Sequence, residues 1–202
     1  YRLATHPASA EIPVGDGTAN CDPDTPFLRH EILDAMERHG CVGEGLGWAP
    51  YHLALRDEEN RLLAVAPCYL KSNSYGEFVF DWSWADAYRR CGRQYYPKLI
   101  IASPYTPATG PRLLTGKTPL RQEYANALLR GAARIAEDTG ISSVHCLFNA
   151  DDEAAWFGPA GFMPRIGCQF HWHNRGYASF DDFLATFSAE KRKKVKRERR
   201  RV

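Results

Sequence analysis

The 202-residue chain has no apolar run near the ~20 residues that a bilayer-spanning helix requires; its longest is the short stretch from Leu62 to Pro67. Its opening residues, YRLATHPASAE, contain no apolar segment of the kind that begins a secretory signal. Six cysteines (Cys21, Cys41, Cys68, Cys91, Cys146, Cys168) form no C-x-x-C pair and keep no regular spacing, so structural zinc has no support. Without a secretory segment, we expect reduced thiols and a cytoplasmic protein. Neither G-x-G-x-x-G nor G-x-x-x-x-G-K-[ST] occurs, which removes the main support for Rossmann-type and P-loop nucleotide binding. Internal repeats are absent as well.

Charge of one sign is also lacking overall, with 26 Lys plus Arg against 24 Asp plus Glu and a formal net charge of +2. The balance hides an uneven distribution. Residues 190–201, EKRKKVKRERRR, hold nine basic and two acidic residues, leaving 17 basic and 22 acidic elsewhere. The body is therefore −5 and the tail +7, which excludes a protein that coats nucleic acid with a uniformly basic surface. At 44% hydrophobic and 12% aromatic, the composition is that of a folded domain with a substantial core.

The order of elements reads as follows. Residues 1–24 are an irregular arm rich in Pro, Gly, Asp and Ala. Thr25-Pro26 opens a helix marked by Phe27, Leu28, Ile32, Leu33 and Met36 and stopped at Gly40. Tyr51–Arg56 and Leu62–Leu70 flank a polar turn, a hairpin pattern. Residues 75–82 form a third strand, 85–90 a short helix, and 98–102 a short apolar strand. After the Pro- and Gly-rich loop 103–111, Thr118-Pro119 opens the longest helix, ended by Gly140. Strand 141–148, helix 151–157 and a long strand 164–174 follow. Ser179-x-x-Asp182 resembles a capping box, and a last basic helix starts at Ser188, with a thin seam of Ser188, Val195 and Val202. Strands alternate with helices around an early hairpin, which predicts a mixed α/β sheet covered by helices.

Four constellations carry candidate chemistry. On a strand, Glu77, Val79 and Asp81 share one face, where two carboxylates serve acid/base work or hold an amine, or pair with surface Lys or Arg. Lys71, Tyr75 and Lys98 flank them as candidate substrate-binding residues. The rigid loop Tyr105-Thr106-Pro107-Ala108-Thr109-Gly110-Pro111 presents Tyr105 and backbone groups at Gly110 to a ligand, or is an ordered connection. His171 and His173 point the same way with Asn174 beside them; no third metal ligand lies at a telling distance, so they are ligand-facing or structural. The basic helix contacts phosphates, with Lys191 and Arg192 at its start, or is a solvated face.

Taken together, these motifs resemble a known family. The Tyr105-x-Pro107-x-x-Gly110-Pro111 loop is similar to the Y-x-P-x-G-P loop of FemABX peptidyltransferases, with one extra residue. FLATFSAEKRKKV (183–195) resembles their basic helix start. SYGEFVFDW, YYPKL, QFHWHNRGYASFDDFL and KRKKVKRERRR resemble the bacterial FemAB-like predicted N-acyltransferases, from about Thr25 onward. The resemblance implies a GNAT-superfamily fold, duplicated in the complete protein. On that reading 25–178 is a GNAT-like domain, and 179–202 is the helical start of a second one. The start at Tyr1 and the stop inside a helical run fit a fragment. It also implies aminoacyl transfer from aminoacyl-tRNA to an amine on a peptidoglycan precursor, a nucleotide-sugar-peptide. Arg192 matches the arginine that holds the precursor's diphosphate, although the family lysine two residues earlier is Glu190 here, with Lys191 shifted by one. No Gly-rich loop for acetyl-CoA accompanies the pattern, so that donor is less expected, and no further cofactor is implied. Glu77, Asp81 and His171 are then candidate proton acceptors, and Tyr105 a donor to the acyl carbonyl. The competing expectations are a non-catalytic binding module for a precursor or tRNA, and nucleic-acid binding by the tail alone.

Overall fold

A computed structural model describes residues 1–13 and 25–201. Cys21 and Val202 lie outside the described residues, as does the rest of segment 14–24 of the expected arm. The described residues fall into two compact units, one ending at Pro164 and one beginning at Arg165.

The first unit contains two sheets. One is antiparallel, in the order β1 (Arg2–His6), β3 (His52–Arg56), β4 (Leu62–Ala66). The other runs β2 (Trp48–Pro50), β5 (Cys68–Lys71), β6 (Lys98–Ile101), β7 (Val144–Cys146), with β6 and β7 parallel and the rest antiparallel. Pro67 separates β4 from β5. Having no N–H to give a ladder, it marks the point where the chain leaves one sheet for the other. Tyr51 separates β2 from β3 and donates its backbone N–H to the Cys68 carbonyl at 2.8 Å, so the two crossing points lie together.

Helices α1 (His30–Arg38), α2 (Trp82–Arg90), α3 (Arg121–Thr139) and α4 (Ala154–Phe157) complete the unit. Helix α3 is the parallel crossover between β6 and β7, and Gly140 ends it in the left-handed conformation at φ 71°. Its buried residues Tyr124, Ala125, Leu128, Leu129, Ala132 and Ala136 join Leu53, Leu55, Ala64, Ala66, Cys68, Leu99 and Ile101 in the main core. Small residues on α3 bring its backbone close. Leu3 of β1 occupies the space that a Cβ on Gly131 would fill. Each fully buried Leu or Ile here contributes about 1.5–3 kcal/mol. A second cluster, built on Trp48, Tyr69, Ile100, Ala102 and Leu147, lies on the other face of the β2–β7 sheet.

The hairpin turn, the strand expected at 98–102 (Lys98–Ile101) and the long helix form where the pattern places them, but the expected hairpin arm 62–70 breaks at Pro67 into β4 and β5 of different sheets. Other elements differ. Within the expected arm, Arg2–His6 is a strand in register with His52–Arg56, because pairing supplies what the short sequence does not show by itself. Helix α1 begins at His30, after a 3-10 turn at Pro26–Leu28. Strand β7 keeps only three residues and is half-buried, because it stands at the sheet edge. Residues 164–174 form no strand and lie largely exposed.

In the second unit, α5 (Phe180–Ala185) opens with the expected capping box: Ser179 Oγ accepts the Asp182 N–H and Asp182 Oδ2 accepts the Ser179 N–H, both at 3.1 Å. Helix α6 (Ala189–Arg199) is capped by Ser188 and has no buried residue. Lys196 reaches Asp181 at 2.9 Å, and the Arg199 guanidinium sits 4.3 Å from the centre of the Phe180 ring. No helix among the described residues is long and apolar enough to cross a membrane.

Candidate functional site

Register across the second sheet lines up an unusual row. Trp48 of β2 lies opposite Lys71 of β5, and Lys71 opposite Lys98 of β6. Directly opposed antiparallel residues project to the same face. Both lysines are fully buried, a situation lysine tolerates only when its charge is met. Lys98 Nζ donates to Glu77 Oε2 at 2.8 Å and to Asp81 Oδ2 at 2.5 Å. Lys71 Nζ stands 3.9 Å from the centre of the Trp48 ring and donates to the Tyr75 carbonyl at 3.0 Å, which also accepts the Trp48 indole N–H. Burial lowers the Lys71 pKa to about 8, with Lys98 pushing the same way and Glu77 opposing.

The network extends sideways. Tyr95 donates its hydroxyl to Asp81 Oδ2 at 2.9 Å and lies 3.4 Å from His145 Nε2, which in turn lies 2.9 Å from Ser143 Oγ. Burial, followed by the Asp81 carboxylate, raises the Tyr95 pKa and keeps the phenol protonated. Glu77 is the least satisfied member. Its Oε1 is buried without a hydrogen-bond partner among the described residues, and burial raises its pKa against the pull of Lys98.

Residues 75–82 reach this site without forming the expected strand. Gly76 (φ 77°) and Phe78 (φ 58°) adopt left-handed backbone, and α2 begins at Trp82. Pleated alternation is replaced by a strap fastened at two carboxylates: Glu77 and Asp81 turn inward to Lys98, while Tyr75, Phe78, Phe80, Trp82 and Trp84 face water. Glu77 and Asp81 do converge, but on a buried cation and not on an open strand face.

Tyr105 belongs to the same neighbourhood. Its ring lies 5.3 Å from that of Trp48 and covers the position a Cβ on Gly76 would take. It too has left-handed backbone, φ 54°. Burial raises its pKa, with Cys41 adding to the effect, so the phenol remains a proton donor. The loop that holds it is organised by two residues absent from the sequence-based expectations. Arg112, almost fully buried, donates from its guanidinium to the carbonyls of Ala108 (2.6 Å), Gly110 (3.0 Å), Pro111 (3.0 Å) and Leu147 (2.7 Å). Glu153, fully buried, accepts the backbone N–H of Arg112 at 2.9 and 3.0 Å and that of Leu113 at 3.0 Å. Gly110 also donates its N–H to the Phe148 carbonyl, tying the loop to the segment after β7. A cavity of about 210 Å³ lies beside it, lined in part by Phe27, Ser103, Thr106, Thr109 and Arg112.

The remaining expected residues lie in the second unit. His171 and His173 keep their common direction, rings 6.3 Å apart and 19° from parallel, in an exposed segment that is not a strand. His171 Nε2 lies 3.2 Å from Gln169 Oε1. Asn174 Oδ1 accepts the N–H groups of Gly176 and Tyr177, so it shapes a turn. The Lys191 N–H meets its helix cap Ser188, and Arg192 Nη2 donates to the Phe187 carbonyl at 3.1 Å. Of the twelve expected residues, then, Lys71, Tyr75, Glu77, Asp81, Lys98 and Tyr105 gather on one sheet face, Gly110 stands in the adjoining loop, and five lie in the other unit. Arg112 had a faint signal, as a lone charge between Pro111 and Leu113-Leu114. Glu153 had none that distinguishes it from Asp151 and Asp152.

The sequence profile of the FemAB-like family, described as peptidoglycan biosynthesis/recognition, matches residues 10–202. No curated protein matches the chain. Among solved structures, an aminoglycoside antibiotic 6'-N-acetyltransferase from Acinetobacter baumannii is 11% identical, covering 87% of this chain and 99% of its own, with a TM-score of 0.49. A protein described as an acetyltransferase from Agrobacterium tumefaciens str. C58 is 17% identical, covering 85% and 100%, also with a TM-score of 0.49.

Proposed function

The chain belongs to the FemAB-like family of peptidoglycan biosynthesis/recognition proteins, and on that premise we propose that it is an N-acyltransferase of GNAT type that joins an acyl or aminoacyl group to an amine of a peptidoglycan precursor. The observation that carries this reading is the meeting of Tyr105 with the Glu77 strap: the phenol ring packs on Gly76, one residue from Glu77.

In this reaction the amine lone pair attacks the acyl carbon and the carbonyl electron pair moves onto oxygen. Tyr105, kept protonated, donates a hydrogen bond to that oxyanion. Glu77 takes the proton lost by nitrogen on Oε1, the oxygen that Lys98 leaves unused, once the strap shifts to bring this buried atom within reach of the amine. As the intermediate collapses, the bond to the donor's oxygen or sulfur breaks and that atom leaves with the proton. Asp81 and Lys98 hold Glu77 in place. The family resemblance assigns the precursor's diphosphate to Arg192 and Lys191 of the second unit, and the role of donor to aminoacyl-tRNA.

The test offers the protein aminoacyl-tRNA and acetyl-CoA separately, with a nucleotide-linked muramyl peptide as acceptor, and follows the product by mass. Tyr105→Phe should lower kcat by about 100-fold and Glu77→Gln by a similar factor. Unchanged rates in both variants would remove these roles, and turnover with acetyl-CoA alone would correct the donor.

One observation favours a second reading, a binding module without turnover: both carboxylates of the strap are already engaged by Lys98 and nearly closed to water. That protein would show a rise in Tm with the precursor and no product with either donor.

A further inference from the structure

The strap that carries Glu77 displays an aromatic surface that the reaction does not use. Tyr75 is 66% exposed, Phe80 60% and Trp82 48%; the Tyr75 and Trp82 ring centres are 5.3 Å apart with planes at 64°, and those of Phe80 and Trp82 6.3 Å apart and within 13° of parallel. Contiguous exposed apolar patches of this kind mark binding surfaces.

This display is held in place. The strap is fastened from beneath by Glu77 and Asp81 on Lys98, and its Tyr75 carbonyl by Trp48 and Lys71. Phe78, half-exposed, sits at φ 58°, a conformation that is strained for a bulky residue and persists only when its surroundings enforce it. The surface is therefore organised before any ligand arrives.

Its chemistry is selective. The only charges between Tyr75 and Trp84, Glu77 and Asp81, point inward, so the outward side carries none. The aliphatic residue of the stretch, Val79, packs against the second core cluster and leaves aromatic rings as the exposed apolar groups. Electron-rich ring faces attract weakly positive C–H groups, and a flat pair of rings suits a flat partner. An uncharged pyranose ring answers both demands, with C–H groups on its face and hydrogen-bonding groups at its edge.

We propose that Phe80 and Trp82 form a stacking shelf, walled by the tilted Tyr75 ring, for an uncharged N-acetylhexosamine ring in the glycan part of the acceptor. This rests on the peptidoglycan reading above and assigns to a place in the fold the part of the acceptor that does not react.

The test titrates the protein with an N-acetylglucosamine tetramer, following tryptophan fluorescence and heat. Saturable binding is expected, unchanged between about 50 and 500 mM salt because no charge is involved. Trp82→Ala should weaken it about tenfold, and Phe80→Ala several-fold. Trp82→Phe, which keeps a ring, should retain binding within about threefold, separating stacking from loss of fold. Absence of binding by the wild type, equal binding by Trp82→Ala with its fold intact, or binding that salt abolishes would each overturn the shelf. Displacement of the tetramer by an uncharged apolar peptide would overturn it in favour of a protein-docking surface. Acyl transfer to an amine peptide without sugar tests the reaction independently: sugar binding without any transfer removes the acyltransferase reading and leaves the shelf, while transfer without sugar binding does the reverse.

Discussion

Lys71 and Lys98 stand opposite each other on neighbouring antiparallel strands, both closed to water. Two ammonium groups on one buried face would drive the sheet apart unless met by opposite charge. The strap meets Lys98 with two carboxylates, and Lys71 with an aromatic face and a carbonyl. Charge compensation is thus what folds residues 75–81 over this end of the sheet.

Removing Lys98 should therefore be severe. Lys98→Met leaves Glu77 and Asp81 buried without their cation and should cost about 3–5 kcal/mol in urea unfolding. Neutralising all three, as Lys98→Met with Glu77→Gln and Asp81→Asn, should recover much of that loss. A single variant as stable as wild type would show that these pairs do not hold the strap.

Lys71 has a pH signature. Its folded pKa of about 8 lies below the ordinary 10.5, so the folded protein gives up this proton before the unfolded chain does. Stability then rises with pH between those values. The rise should appear as a difference between wild type and Lys71→Met in denaturant midpoints at pH 8 and pH 10. Parallel curves would contradict it.

A buried glutamate, Glu153, and a partly buried one, Glu37, act in opposite directions at lower pH. Burial lifts Glu153 to about 7, against the N–H groups of Leu113 and Arg112, so its contribution is full below about 4.5 and is lost as pH rises through 7. Burial also opposes ionisation of Glu37, but hydrogen bonds from His52 and Ser9 win and hold it below 4.5. That contribution is present above 4.5 and lost as pH falls through the folded value. Glu153→Gln should flatten the decline toward neutral pH, and Glu37→Gln the loss in acid, each read from Tm across pH 3 to 8.

Gly76 is the cheapest place to disturb the Tyr105 contact. An alanine there meets the Tyr105 ring and takes a left-handed backbone, costing about 1–3 kcal/mol. Because Trp48 packs against the same ring, Gly76→Ala should also shift tryptophan emission. A variant with unaltered emission and stability would mean that the ring does not rest on Gly76.

Local pattern was enough to read the hairpin at residues 57–61, the long helix ended by Gly140 and the capping box at Ser179, since each depends on neighbours within a few positions. It failed at residues 75–82 and 164–174, where alternation mimicked a strand. In the first case two glycine-like backbone turns and a distant lysine overrode it; in the second no partner strand is present among the described residues. The strand at Arg2–His6 escaped notice for the converse reason, its partner lying about 50 residues away.

By itself, the sequence determined the family, the mixed α/β class, the candidate carboxylates and the loop at Tyr105, because these rest on residue types and short spacings. Only the tertiary structure decided what those residues face. It spent Glu77 and Asp81 on Lys98, set Tyr105 over Gly76, brought in Arg112 and Glu153 to shape the loop, and turned the aromatic rings of the strap to water. Side-chain partners 17 to 41 residues apart in the chain are chosen by register and burial, and neither is written in local order.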